Sequence, residues 1–166
     1  MHPQAYDWVR AHATDAPVAV LDLGGRDVNG SPRVLFPNAT AYRCLDIVAD
    51  AGVDIVADAG TWTPDRSYDV VLSTECLEHT ENWRDVIGTA YRALATGGTF
   101  VCTAAGPGRP IHSGITGELW KQYPGETYGN IQPRDLHEAL KETGFVDVVV
   151  VQSLAPCDVR SVARKP

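Results

Sequence analysis

The chain has 166 residues, of which 44% are hydrophobic and 21% charged, and its 14 Lys and Arg against 21 Asp and Glu leave a formal net charge of −7. This length suits one domain over residues 1–166, and the apolar share excludes a chain too polar to offset the entropy of folding. The acidic balance disfavours nucleic acid, whose phosphates need cations to displace their counterions, and no run reaches the roughly 18 apolar residues of a membrane helix.

From the N-terminus, MHPQAYDWVR lacks the charged-then-apolar order of a secretion signal, so a cytoplasmic setting without membrane attachment is expected. Ala5, Trp8, Val9 and His12 fall on one face of a short helix. Apolar runs then read as strands at 18–23, 41–46, 53–57, 68–73, 99–103 and 146–152. Several are continuously apolar, as a parallel sheet covered on both faces requires. Between the fourth and fifth strands, Trp83, Val86, Ile87, Ala90, Tyr91 and Leu94 recur at helical spacing, and Gly97-Gly98 supplies the stop.

The segment 104–132 is rich in Gly and Pro and shows no sustained period. It leaves the carboxyl end of a strand, where ligands bind in open α/β sheets, and is expected to act as a substrate lid or pocket wall. Its Trp120, Tyr123 and Tyr128 suit either an apolar acceptor pocket or pins that hold the loop to the sheet. Arg109, Lys121 and, further on, Arg134 suit either an acidic substrate or a solvated face. Another helix starts at Pro133 and runs through Leu136, Ala139 and Leu140 to Gly144. The chain closes with VDVVVVQSL, the turn-like APCD and VRSVARKP, two strands in an antiparallel hairpin. Cys44, Cys76, Cys102 and Cys157 fall singly, which indicates neither a disulfide framework nor a metal site.

Within this frame, VAVLDLGGRDVNG at 18–30 is a strand entering a glycine turn, the form that brings backbone N–H groups close to a ligand, although a plain tight turn has the same composition. Asp46 follows roughly 20 residues later at a strand end, the offset at which an acid reaches ribose hydroxyls. LDLGG, LDI, DIVADAG, YDVVLSTECLEHTENW and YRALATGGTFVCTAAGP follow one another in order. In this the chain resembles the class I S-adenosylmethionine-dependent methyltransferases, in particular their small type 11 branch.

The resemblance implies an α/β fold with a Rossmann-like, mostly parallel seven-stranded sheet and a C-terminal antiparallel hairpin. It implies S-adenosyl-L-methionine as cofactor, with S-adenosyl-L-homocysteine as product. Asp22, Gly24 and Gly25 would surround the methionine end, Asp46 and Ile47 the ribose and adenine, and Asp58 and Ala59 the adenine amino edge. Ser73, Thr74 and Glu75 would lie beside the sulfonium and its amino-acid tail. Arg26 and Val28 depart from the family's alternating glycines, and a dinucleotide pyrophosphate would need glycine where Arg26 stands.

His79 and His112 are the candidate catalytic bases, since an imidazole titrates near neutrality, though His79 also suits a packing role at a helix start. STEC lacks the Asp/Asn-Pro-Pro-aromatic pattern of base-methylating enzymes, and Pro156-Cys157 reads as a turn. The expected activity is methyl transfer to an O, N or C atom of a small-molecule acceptor. The alternative is a degenerate cofactor-binding scaffold or partner subunit without its own catalysis. The sequence leaves monomer and homodimer both open.

Overall fold

Strand β1 (Ala19–Leu23) is buried along its whole length and takes an inner place in the sheet of the computed structural model, which describes residues 1–166. The other strands are β2 (Ala41–Asp46), β3 (Ile55–Val56), β4 (Tyr68–Thr74), β5 (Leu94–Ala105), β6 (Val146–Leu154) and β7 (Cys157–Arg164), and the sheet order is β3-β2-β1-β4-β5-β7-β6. β1 to β5 are mutually parallel, whereas β7 runs antiparallel to both β5 and β6. This is the expected mostly parallel seven-stranded α/β sheet with a terminal hairpin.

Alternation along β1 sends side chains to two different covers. Leu21 and Leu23 join the larger core beneath α2 (Trp83–Ala93) and α3 (Pro133–Thr143), with Val86, Ile87, Ala90, Leu136 and Leu140. Val20 joins a smaller core beneath α1 (Pro3–His12) and a 3₁₀ turn at Pro32–Leu35, with Val9, Phe36, Val70, Leu72 and Val101. Each large aliphatic side chain fully buried in this way contributes about 1.5–3 kcal/mol. α3 starts on Pro133 and stops at Gly144, whose φ of 107° is open to glycine and strained for other residues. No helix of the chain is long and apolar enough to cross a membrane.

Several element boundaries differ from the sequence expectation. β3 is two residues long instead of spanning 53–57, because only Ile55 and Val56 pair with Leu45 and Asp46. α2 ends at Ala93, and Gly97-Gly98 lies inside β5 rather than stopping the helix. There the Gly97 N–H donates to the carbonyl of Lys165 and the Lys165 N–H to that of Gly98, so the end of the chain extends the strand. The hairpin turn is Ala155-Pro156 alone, since Leu154 and Cys157 already pair.

Segment 104–132 has no helix but is heavily bonded. His112 bridges Leu119, the Trp120 N–H donates to Ile111, and the Ile131 N–H donates to Ala105 at the rim of β5. The Glu126 carboxylate accepts from the Ser113 hydroxyl and from the N–H of Ile115. The Tyr128 hydroxyl donates to the carbonyl of Pro110 at 3.0 Å. Segment 104–132 is therefore a folded strap, more firmly held than the sequence suggests.

Candidate functional site

The carboxyl ends of β1, β2 and β4 open into a cleft of about 450 Å³, within the roughly 300–1,000 Å³ range of small-molecule sites. A second cavity of about 90 Å³ adjoins it, sharing Gly24, Arg26, Asp46, Glu75, His79 and Gly114 as walls. The strap roofs both, through Gly114 and its neighbours.

The glycine turn is shaped by what lies beneath it. Gly24 has φ 72°, and a β-carbon there would stand 2.3 Å from the Cys76 sulfur. A β-carbon on Gly25 would stand 2.4 Å from the carboxyl carbon of Asp22. Both positions therefore exclude any side chain and leave the backbone facing the cleft. Asp22 itself is fully buried, accepts a 2.7 Å hydrogen bond from the Tyr42 hydroxyl, and has one oxygen without a partner. Burial pushes its carboxyl up to about 6, against the Tyr42 hydrogen bond, which lowers it. Ser73 is likewise fully buried with an unpartnered hydroxyl. Asp22 and Ser73 thus stand behind the wall, and neither lines the cleft.

The other candidates reach the cavities. Asp46 is fixed by the N–H groups of Arg26 and Val48, one to each carboxylate oxygen. Ile47 is 71% exposed at the rim, an apolar surface left uncovered beside that acid. Asp58 accepts from the Gly60 N–H at 2.7 Å, and Ala59 lies next to it in the same wall. Thr74 and Glu75 close the floor at the end of β4. Glu75 has φ 55°, a left-handed conformation that costs a non-glycine residue about 1–3 kcal/mol and concentrates at functional sites. The Thr103 hydroxyl donates to its carboxylate at 3.0 Å.

His79 and His112 meet at the small cavity, their Nε2 atoms 3.3 Å apart and their rings edge-on. The Tyr128 ring packs against both, with centroids 5.5 and 5.1 Å away. Burial, then the neighbouring His112, pushes His79 down to about 4, over the opposing pull of the Thr127 backbone and the Glu126 charge. His79 is accordingly neutral at pH 7. Beside the pair, burial and the Glu75 charge raise Glu78 well above the ordinary carboxylate range. Burial pushes the Cys76 thiol up to about 12, so it is no nucleophile.

Several residues that the sequence singled out do other work. Trp120 is 74% exposed and lines neither cavity, and Tyr123 is bound to Glu118 at the surface. Of the three aromatics only Tyr128 reaches the histidines. Lys121 and Arg134 pair with Glu118 and Glu138 on the exterior. Arg109 turns inward, 2.7 Å from the buried Asp158.

Sequence reasoning passed over Glu81, Asp85 and Glu126, which join Asp46, Asp58 and Glu75 around the cleft. These six carboxylates face one guanidinium, that of Arg26, a field that favours a cationic ligand and opposes a phosphate. Arg26 also spans the cleft: it lies 3.6 Å from Asp50 and donates to the carbonyls of Gly114 and Ile115. The long separations, 88 and 89 residues, hid this bond from sequence reading.

A parallel sheet of this order with a reversed terminal hairpin, a glycine turn after β1 and an acid closing β2 is the architecture of the class I methyltransferases. A family model described as a methyltransferase domain matches residues 7–150, and the chain belongs to that family. Sequence comparison with curated proteins returns no match.

Among solved structures, the fold is similar to 1,6-didemethyltoxoflavin-N1-methyltransferase from Burkholderia thailandensis with bound 1,6-didemethyltoxoflavin and S-adenosylhomocysteine. The TM-score is 0.70 at 18% identity, covering 98% of this chain and 77% of that one. It is also similar to an S-adenosylmethionine-dependent methyltransferase from Mesorhizobium loti, with TM-score 0.70, 18% identity and coverage of 96% and 98%. Phosphoethanolamine N-methyltransferase 2 from Haemonchus contortus, in complex with S-adenosyl-L-methionine, matches with TM-score 0.69 and 18% identity. There the match covers 98% of this chain and about half, 52%, of the other.

Proposed function

We propose that the chain transfers the methyl group of S-adenosyl-L-methionine to a small-molecule acceptor. The observation that carries this reading is the register of the glycine turn with Asp46 at the mouth of an acid-lined cleft. The solved relatives support it, having been crystallised with S-adenosylhomocysteine or S-adenosylmethionine. Two of them act, by name, on 1,6-didemethyltoxoflavin and phosphoethanolamine, which favours a small acceptor here.

In this reading Asp46 accepts from the ribose hydroxyls, Ile47 lies along the adenine, and Asp58 with Ala59 meets its amino edge. Gly24 and Gly25 present backbone to the methionine end, with Asp22 and Ser73 supporting from behind. Thr74 and the strained Glu75 face the sulfonium and its ammonium, a position where a carboxylate is favourable. The bound sulfonium supplies the methyl group, and the carbon–sulfur bonding pair returns to sulfur. The chain's own share is alignment of the acceptor, exclusion of water by the strap, and removal of the acceptor's proton. His79 and His112 hold the basic edge of the acceptor cavity.

Calorimetric titration with S-adenosyl-L-homocysteine tests the cleft. One-to-one binding that Asp46→Ala weakens by about 1–3 kcal/mol is expected. An unchanged affinity in a folded variant removes the assignment. Methyl transfer to a panel of small acceptors then separates an enzyme from a cofactor-binding scaffold or partner subunit, which would bind and not turn over.

A further inference from the structure

The Nε2 atoms of His79 and His112 stand 3.3 Å apart, and a carboxylate oxygen of Glu78 lies 3.9 Å from the latter. One donor atom from each of the three falls within 4.8 Å of the others. Two nitrogens bound tetrahedrally to one ion at about 2.0–2.1 Å are themselves roughly 3.3–3.4 Å apart. The histidines already hold that spacing.

Two further observations point to a cation between them. Glu78 is 1% exposed, and neither side-chain oxygen accepts a hydrogen bond. A buried carboxylate without a donor is costly unless it is neutralised or binds a metal. The Nδ1 of His112 lies 3.2 Å from the carbonyl oxygen of Pro110, which can only accept, so the neutral tautomer that makes this bond has its proton on Nδ1 and its lone pair on Nε2. That outer hydrogen bond is the one by which metal-binding histidines are oriented. The chain's other acid-and-histidine cluster, His2, Glu75 and Asp158, is instead neutralised by Arg109 and Arg160.

We propose that Glu78, His79 and His112 bind a divalent transition-metal ion of the Zn²⁺ type, with an open coordination position toward the small cavity. Two nitrogens and one carboxylate oxygen are a donor set such ions accept, and three protein ligands leave a position for water or a substrate atom. Both histidines line the cavity, so the open position faces it. The role of the ion rests on the methyl-transfer reading: it would hold an oxygen or sulfur of the acceptor and lower its affinity for its proton. The acceptor class is then one able to ligate a metal, such as a hydroxyl, thiol or hydroxy-acid compound. In the metal-bound protein the imidazoles are ligands and not bases, and the acceptor's proton, loosened by the ion, passes to solvent water. Binding of the ion does not depend on that reading.

The test is calorimetric titration of chelator-stripped full-length protein with Zn²⁺, repeated with Co²⁺ while following its visible absorption. One ion per chain is expected, with Co²⁺ bands of a four- or five-coordinate site. Glu78→Gln, His79→Ala and His112→Ala should each weaken binding by at least the roughly 10- to 100-fold seen for loss of an outer partner. His137→Ala, on the exposed face of α3, should leave it unchanged. Glu78→Gln keeps the size of the side chain and guards against simple misfolding. Failure to bind one equivalent, or binding that survives both Glu78→Gln and His112→Ala, overturns the site. S-adenosyl-L-homocysteine titrated into the same stripped protein reports on the cleft separately. If this product binds and Zn²⁺ does not, the metal site alone is removed; if Zn²⁺ binds and the product does not, the metal site stands and the methyl-transfer reading is removed.

Discussion

The guanidinium of Arg26 lies 2.8 Å from the carbonyl oxygen of Ile115, joining the glycine turn after β1 to the strap that leaves β5. Arg26→Gly, which restores a small residue at this position of the turn, should free the strap without touching its internal bonds. Hydrogen exchange at residues 113–117 should then be faster than in the unchanged chain. Arg26→Lys should restore little of the protection, because one ammonium cannot reproduce the fork that spans two carbonyls and Asp50. Equal exchange in all three proteins would separate the strap from the turn.

Asp58 gives a prediction that rests on hydrogen-bond polarity. Asp58→Asn keeps an acceptor oxygen for the adenine amine and should retain affinity for S-adenosyl-L-homocysteine within about 1 kcal/mol. Asp58→Leu removes it and should weaken binding by more than the Asn variant. Identical calorimetric affinities in the two would place the adenine elsewhere.

Asp22 should make stability fall with rising pH. Its carboxyl titrates at about 6 in the fold against 3.8 in the open chain, because burial opposes its charge. The native state therefore binds the extra proton, so the contribution is complete below about pH 4 and is lost as pH rises to about 6. The shift of about two pH units corresponds to about 3 kcal/mol. Asp22→Asn keeps an acceptor for Tyr42 and has no charge to bury. In urea unfolding its advantage over the unchanged chain should be small near pH 4 and grow until about pH 6. A constant difference across that range would mean that Asp22 does not titrate there.

Arg109 and Arg134 should respond differently to the same truncation. Arg109 is largely buried against the fully buried Asp158, and because Arg160 and His2 still reach that carboxylate its loss should cost about 1.5–3 kcal/mol, as for a lost hydrogen bond to a charged group. Arg134 is solvent-exposed, and Arg134→Ala should leave the unfolding midpoint unmoved. Comparable losses from both would contradict the burial seen at Arg109.

What the sequence made legible follows from periodicity and local turns. Apolar-rich runs located β1, β2, β4 and β6, and the helical spacing from Trp83 located α2, because these patterns are written within one element. The boundaries that failed were set by distant partners: Lys165 bonds to Gly97 and Gly98 and so turns the expected helix stop into strand. In the cleft, Asp46 and Glu75 were legible as strand-end acids. The meeting of Glu78 with His112 was not, since the strap that brings them together has no period. Trp120 suited by composition a pocket wall or a pin on the sheet, and it is neither: it is 74% exposed, at a residue of left-handed backbone, φ 61°.

The reversed hairpin also governs how the chain can be assembled during synthesis. β7 emerges after the other six strands of the sheet, yet it lies inside it, paired with β5 on one side and β6 on the other. Until residue 164 has left the ribosome, two long strands keep unsatisfied edges, the condition under which nascent sheets pair with the wrong neighbour. A premature stop within 157–164 would therefore not trim a border. It would split the sheet, strand β6, and remove the carboxylate of Asp158 that Arg109 and His2 share.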